Sequence, residues 1–298
     1  GGTPMRKMDN MAGYVFLTPW LLGFLLLTLI PLGYSFYYSL TNFNLLSEPN
    51  FVGFANYVKM FTRDYHFYNA LKVTFLYVFV SVPLQLLFSL ILAFVLNKGI
   101  PFLSAFRAVY YIPSLLGGSV AISILWRQLF GMDGVLNILL GSLGLTSLAH
   151  ISWIGDPRFA VWSLIILRVW QFGSPMIIFL AGIKQIPQEL LEAGAIDGAT
   201  KFKQTTKIIL PMMMPIILFN VIMQIVSAFK VFTEAYIISG GNGGVMDSLL
   251  FYTLHIYTEG FSKMRMGYAS ALSWLLLLII GFFTALFFKV FNKKLNYH

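Results

Sequence analysis

Long apolar stretches broken by short charged ones set the pattern of this chain. A bilayer core takes roughly 20 apolar residues per helical crossing, and the uncharged runs divide by that length into six expected spans. The first falls at residues 11–40, inside a stretch that stays uncharged to residue 47, and Pro19 and Pro31 are expected to bend or end its helix. Others are expected at residues 73–96, 108–126, 208–229 and 266–288. The remaining one, the fourth, covers residues 159–183 and is apolar except for Arg168. A charge at a helix centre costs about 2.5–3.5 kcal/mol, less toward one end or in a wet cavity. Five spans plus a re-entrant piece is therefore the competing count. Either way the chain reads as an all-α integral membrane protein, with residues 1–298 forming one transmembrane domain.

Composition agrees: 58% of the 298 residues are hydrophobic and 10% charged, against roughly 45–50% and 25% in soluble domains. A net charge of +9 raises the question of nucleic acid. The basic residues, however, sit at the ends of apolar runs and form no tract. Cysteine is absent, which removes disulfides and thiolate metal sites. Gly1 in place of Met points to processing or added residues, and the apolar stretch after Arg6 and Lys7 is too long for a signal-peptide core, so an uncleaved first span is expected. Arg6, Lys7, Lys98, Arg107, Lys184, Lys201, Lys203, Lys207, Lys289, Lys293 and Lys294 crowd the short segments on one side. By the positive-inside rule that side, with both termini and loop 184–211, is cytoplasmic. The longer loops 41–72, 127–158 and 230–265 then face outward and are expected to fold as short caps.

Loop 184–211 is the one long polar insertion on the cytoplasmic side. Pro187 suits the first turn of a helix, and Glu189 and Glu192 come next on one face near its positive end. Gly194 and Gly198 bracket a break, Asp197 is a candidate N-cap for the next helix, and Lys201, Phe202 and Lys203 open that second helix, which is expected to end before Pro211. The expected product is a bent two-helix lug with carboxylates on one arm and lysines on the other. A solvated amphipathic connector is the alternative.

Glu192-Ala193, then Ala195-Ile196-Asp197-Gly198, then Ile208, Leu210 and Pro211 resemble the EAA loop of ABC importer permeases; Gly194 stands where many members carry a second Ala. Asn97-Lys98, Arg107, Pro113, Trp126, Phe130, Gly134, Asn137, the run Trp153-Ile154-Gly155-Asp156-Pro157, and the stretches around Ser227–Phe232, Ser239-Gly240-Gly241 and Gly267–Ala271 are similar to the maltose-transporter type of sugar permease. Asn242-Gly243-Gly244 replaces the proline usual after the glycines. The resemblance implies that the loop is a coupling helix seated in a cleft of an ATPase subunit. Glu192 would face a basic partner there, Ala193 and Gly198 would allow close approach, and Asp197, Leu210 and Pro211 would complete the element. It further implies a second permease subunit, two ATP-binding cassette subunits that hold ATP and Mg2+, an extracytoplasmic solute-binding protein, an oligosaccharide substrate, and residence in the bacterial cytoplasmic membrane. No cofactor is expected on this chain.

The residues themselves show no phosphate-cradling loop, no His-Glu-x-x-His and no nucleophile elbow, so no catalytic and no metal-ligating residue is expected. A translocation path should instead appear as polar groups at helical spacing inside apolar spans. Arg168, Gln171 and Ser174 make one such stripe beside an expected helix break at Gly173 and Pro175; Asn220, Gln224 and Ser227 make another, with Lys230 just beyond. Lining a sugar path, with Trp170 or Tyr236 against the ring face, is one reading, and interhelical hydrogen bonding is the other. Arg168 and Lys230 raise an acidic oligosaccharide beside a neutral one, while Arg168 pairing with a partner's acid is a further possibility. The rival function is an ion-coupled secondary sugar transporter, which usually shows internal repeats; none is evident.

Overall fold

The computed structural model describes residues 4–98 and 103–295. The side chains of Arg6, Lys7, Lys293 and Lys294, counted toward the orientation, lie outside the described ones, as does Gly1. The regular structure of the described residues is helical, joined by turns and irregular loops, apart from two isolated antiparallel bridges, Thr41–Phe51 and Asn44–Ser47. In order, the α-helices are α1 (Pro4–Phe24), α2 (Ile30–Ser39), α3 (Ala55–Arg63), α4 (Tyr65–Leu96), α5 (Leu103–Leu116), α6 (Val120–Leu129), α7 (Val135–Ser142) and α8 (Ala160–Trp170). Next come α9 (Gly173–Lys184), α10 (Gln188–Ile196), α11 (Lys201–Gln204), α12 (Leu210–Met212), α13 (Met214–Phe229), α14 (Thr233–Ser239), α15 (Tyr252–Tyr257) and α16 (Met266–Leu295).

Four segments are long and apolar enough to cross a bilayer unaided: Gly13–Ser39, Tyr65–Leu96, Met214–Ser239 and Met266–Phe291. Two more are bent pairs, Ala105–Leu116 with Val120–Leu129 at 93° and Ala160–Trp170 with Gly173–Lys184 at 40°. The third expected span is thus not one straight helix. The 14 residues of α5 rise about 21 Å at 1.5 Å each, short of a hydrocarbon core of about 30 Å. Uncharged length was a blind measure here because Gly117, Gly118 and Ser119 break the helix without adding charge: Gly117 N–H closes α5 on Pro113 O at 2.7 Å, and Ser119 Oγ caps α6 by accepting from Ile122 N–H at 3.3 Å. In the first span the prolines do not end the helix. Pro19 lies within α1, and before Pro31 a π turn over Leu25–Leu29 widens the backbone, Ile30 N–H donating to Leu25 O. The same device, a π turn over Thr205–Ile209, precedes Pro211.

By packing, the chain divides into two units. One comprises residues 1–64 and 256–276. Within it Asn56 Nδ2 donates to Ser39 O and Thr41 O at 2.9 and 2.8 Å, satisfying carbonyls left over at the end of α2. Gly267 permits the close approach beside them, since a Cβ there would lie 2.2 Å from Thr41 O. Buried Glu259 receives bonds from Lys263 Nζ at 2.5 Å and Arg265 Nη1 at 3.3 Å. Lys59 sits 4.3 Å from the Tyr268 ring centre, and its burial, with the nearby Arg265 charge second, lowers its pKa.

The other unit comprises residues 65–255 and 277–298. Its centre is α4, against which α8, α9 and α13 pack; α5 lies on α9 and α6 on α14. Polar residues Ser81, Gln85 and Ser89, one helical turn apart, are all buried along α4. Gln85 and Ser89 face the break in the fourth span, which falls at Gln171-Phe172, just before the glycine that sequence pointed to. Gln85 Nε2 and Ser114 Oγ both donate to Gln171 O, at 2.8 and 3.0 Å, and Ser89 Oγ donates to Phe172 O at 2.9 Å. Ser174 N–H returns to Ser114 Oγ at 2.8 Å. Backbone groups freed inside a membrane must find such partners. The two breaks interlock: a Cβ on Gly117 would meet the Gln171 side chain at 2.3 Å, and one on Gly173 would meet Tyr110 O at 2.2 Å.

Backbone atoms cannot yield as a side chain can. Gly173→Ala is therefore expected to destabilise the permease by about 1–3 kcal/mol, read as a lower thermal midpoint in detergent. Gly13→Ala, with nothing within 4 Å of the new methyl, is expected to leave that midpoint unchanged.

Candidate functional site

A cluster of polar groups in the second unit lines an open cavity of about 650 Å³, walled by the ends of α5, α8, α13 and α14. Arg168, Gln171, Ser227 and Lys230 line it, together with Ser119, Thr233 and Glu234. Arg168 is buried and satisfied within the chain: Nε donates to Gln85 Oε1 at 3.0 Å, Nη1 to Ser227 Oγ at 3.2 Å, and Nη2 to Gln224 Oε1 at 2.7 Å and Gln224 O at 3.1 Å. A fork-shaped cation suits this role because it offers donors in several directions from one plane. It ties α8 to α4 and α13, and so shapes the cavity wall without needing an acid from another subunit.

The remaining sequence candidates fall in different places. Gln224 forms part of the Arg168 shell. Ser174 belongs to the break, bonded through its N–H to Ser114. Asn220 is fully buried, its Nδ2 donating to Pro175 O at 3.4 Å and its Oδ1 buried without a partner among the described residues. Trp170 packs on Trp126, ring centres 5.7 Å apart, and Tyr236 on Phe232 at 5.6 Å. Phe232 is the aromatic ring that lines the cavity.

Glu234 in the cavity wall and Gln85, buried behind it against Arg168, escaped the reading of the sequence. Glu234 is the acid among the cavity's lining residues, acted on by the Arg168 charge and the Gln171 side chain. It stands four residues after Lys230, at the opening of a short helix that hydropathy did not separate from a loop. Gln85 could have been found, since Ser81, Gln85 and Ser89 repeat every four residues in an otherwise apolar span.

The polar loop forms the two-armed lug that its sequence suggested. Its arms are α10 and the helix from α11 through α12. It differs in three details: Gly194 lies inside α10 and does not flank the break; Asp197 ends the first arm while Thr200 caps the second, its Oγ1 accepting from Lys203 N–H at 3.3 Å; and the second arm does not end before Pro211, because the wider π turn over Thr205–Ile209 carries the helix through it. Gly198 N–H bonds Ala195 O at 3.0 Å and Ala199 N–H bonds Gly194 O at 2.8 Å, a Schellman closure. That closure needs the left-handed φ of +78° which Gly198 supplies. Buried Gln204 donates to Leu191 O at 3.3 Å and Ala199 O at 3.4 Å, clamping the arms, while Ile208 Cδ1 would touch any Cβ at Gly194. Glu192 and Ala193 lie on the exposed side, with Ile196 87% and Phe202 76% exposed. Leu210 and Pro211 form the entry to α13.

Residues 66–297 match the family described as binding-protein-dependent transport system inner membrane component. The chain belongs to that family. A probable ABC transporter permease protein of Bacillus subtilis (strain 168), YesP, is 46% identical over 98% of this chain and 94% of its own. The trehalose/maltose transport system permease protein MalF of Thermococcus litoralis is 30% identical over 96% of this chain and 95% of its own. A crystal structure of a bacterial ABC transporter involved in the import of the acidic polysaccharide alginate contains a chain sharing the fold, with a TM-score of 0.76, 20% identity and 96% of each chain covered. This chain is accordingly an importer permease and not an enzyme; ATP is hydrolysed by separate subunits, and an ion-coupled carrier is set aside.

Proposed function

We propose that this permease forms, with a second permease subunit, the membrane path for an oligosaccharide delivered by an extracytoplasmic binding protein. Supporting this is the polar cavity itself, where Gln171, Ser227, Thr233, Ser119 and Glu234 offer donors and acceptors to hydroxyl groups within an apolar domain. Phe232 supplies a flat apolar surface for a ring. The trehalose and maltose named for the Thermococcus litoralis relative have the hydroxyl-rich chemistry that such a lining suits. Two ATP-binding subunits, holding ATP and Mg2+, would drive the cycle through the lug, with Glu192, Ala193, Asp197, Gly198, Leu210 and Pro211 as its contact and hinge positions. Both termini and the lug then face the cytoplasm.

A second reading, an acidic oligosaccharide, is favoured by one observation. Arg168 is surrounded by amides and lies near Glu234, but Lys230 is exposed on the cavity wall and makes no ion pair among the described residues. Competition uptake in proteoliposomes decides between them. Under the neutral reading, unlabelled uronate oligosaccharides fail to compete and Lys230→Gln keeps uptake within about threefold of wild type. Strong uronate competition that Lys230→Gln lowers about tenfold, the order of 1.4 kcal/mol, would establish the acidic reading instead.

A further inference from the structure

Away from the cavity, the second unit carries a strained prong beside a polar cleft. Segment 240–247 holds four glycines with φ between +71° and +83° and two non-glycine residues, Met246 and Asp247, at φ +54° and +56°. Such conformations persist in non-glycine residues only where the surroundings impose them. Here α4 imposes them: Asn69 Nδ2 donates to Asp247 O at 2.8 Å, and His66 Nδ1 lies 2.6 Å from Asp247 Oδ2. With its base fixed, the prong displays Val245 at 54% and Met246 at 84% exposure.

At the foot of the prong lies a cleft of about 340 Å³, formed by Ser152, Ile154 and Gly155 on one side and Ser239, Asn242 and Val245 on the other. Arg127 lines it. Its guanidinium makes a long bond of 3.4 Å to Ile237 O and no ion pair among the described residues. The neighbouring Arg158 differs, because Asp156 neutralises it through three bonds of 2.7–3.2 Å. Those bonds, with a backbone N–H from the same arginine, hold the Asp156 carboxyl at about 2. One cation beside the cleft is thus compensated and the other left open, next to two apolar side chains on a preset backbone.

We infer that this cleft receives a carboxylate side chain of the extracytoplasmic binding protein, with Arg127 as its counter-charge and Val245 and Met246 as the apolar flank. The inference rests on the functional reading above, since it places the cleft on the outer side and names that partner. An exposed cation opposite a partner's acid mainly sets association and its salt dependence.

The test uses the complete complex in proteoliposomes with the binding protein that supports its uptake. Arg127→Glu is expected to raise the binding-protein concentration for half-maximal uptake about tenfold, with the saturating rate kept, while Arg127→Lys stays within about threefold. A photo-crosslinking amino acid in place of Met246 is expected to give an adduct with the binding protein. An unchanged half-maximal concentration in Arg127→Glu, or an adduct only with the second permease subunit, overturns the assignment. Wild-type uptake that needs no binding protein overturns the functional reading itself, and is distinguished by being seen before any variant is made.

Discussion

Arg168→Met is expected to lower uptake more than tenfold while moving the thermal midpoint of the purified permease little. Two energies oppose each other. Losing the guanidinium leaves the Gln85 and Gln224 carbonyl oxygens and the Ser227 hydroxyl without their donor; interhelical hydrogen bonds in membranes average about 0.6 kcal/mol each, so the loss is about 2 kcal/mol, more if a group stays buried and unmet. Against this, removing a charge from an apolar span recovers up to about 2.5–3.5 kcal/mol of insertion penalty. The terms nearly cancel in stability but not in shape, because the three acceptors come from α4 and α13 and the arginine is what joins them to α8 beside the cavity. Arg168→Lys is expected to fail as well, since one ammonium cannot reach acceptors on two helices in different directions. Uptake within twofold of wild type for the methionine variant would show that Arg168 is structural filler.

The features legible in the sequence arise from chemistry that is local. Apolar run length located the membrane segments because a helix buries its own backbone and needs only its side chains to match lipid. The lug was readable because Gly198, Glu192 and the two lysines act within a turn or two of one another. The breaks were not readable to the same degree: their positions depend on which neighbour can satisfy a freed carbonyl, so Gln171-Phe172 opens where Gln85, Ser89 and Ser114 can reach it, not at Gly173 itself. Glycine at 173 serves instead to let α9 touch the backbone of α5. The stripes were half-informative for a similar reason. Period alone put Asn220 with Gln224 and Ser227, but in the packed bundle Asn220 meets Pro175 O, and Glu234 joins the cavity from the next element.

Glu192→Lys is expected to reduce uptake to background while leaving insertion, folding and the basal ATPase of the assembled complex intact. Glu192 is exposed and makes no hydrogen bond or ion pair among the described residues, so its replacement should change stability by no more than about 0.5 kcal/mol. A large functional effect from such a position has to arise at a contact outside the chain. Under the proposed coupling role the rest of the lug would carry that contact inward: Gly198 sets the turn between the arms, Gln204 bonds α10 to α11, and the second arm runs without a loop into α13, whose far end carries Ser227 and Lys230 at the cavity. A push on α10 therefore has a continuous helical route to the groups that line the path. The measurements are ATP hydrolysis and uptake on the same proteoliposomes; hydrolysis that continues without uptake is the expected uncoupling, and Ile196→Ser, which removes an exposed apolar contact but no charge, is expected to show a weaker form of it. Normal uptake by Glu192→Lys would mean that force enters this helix bundle somewhere other than the lug.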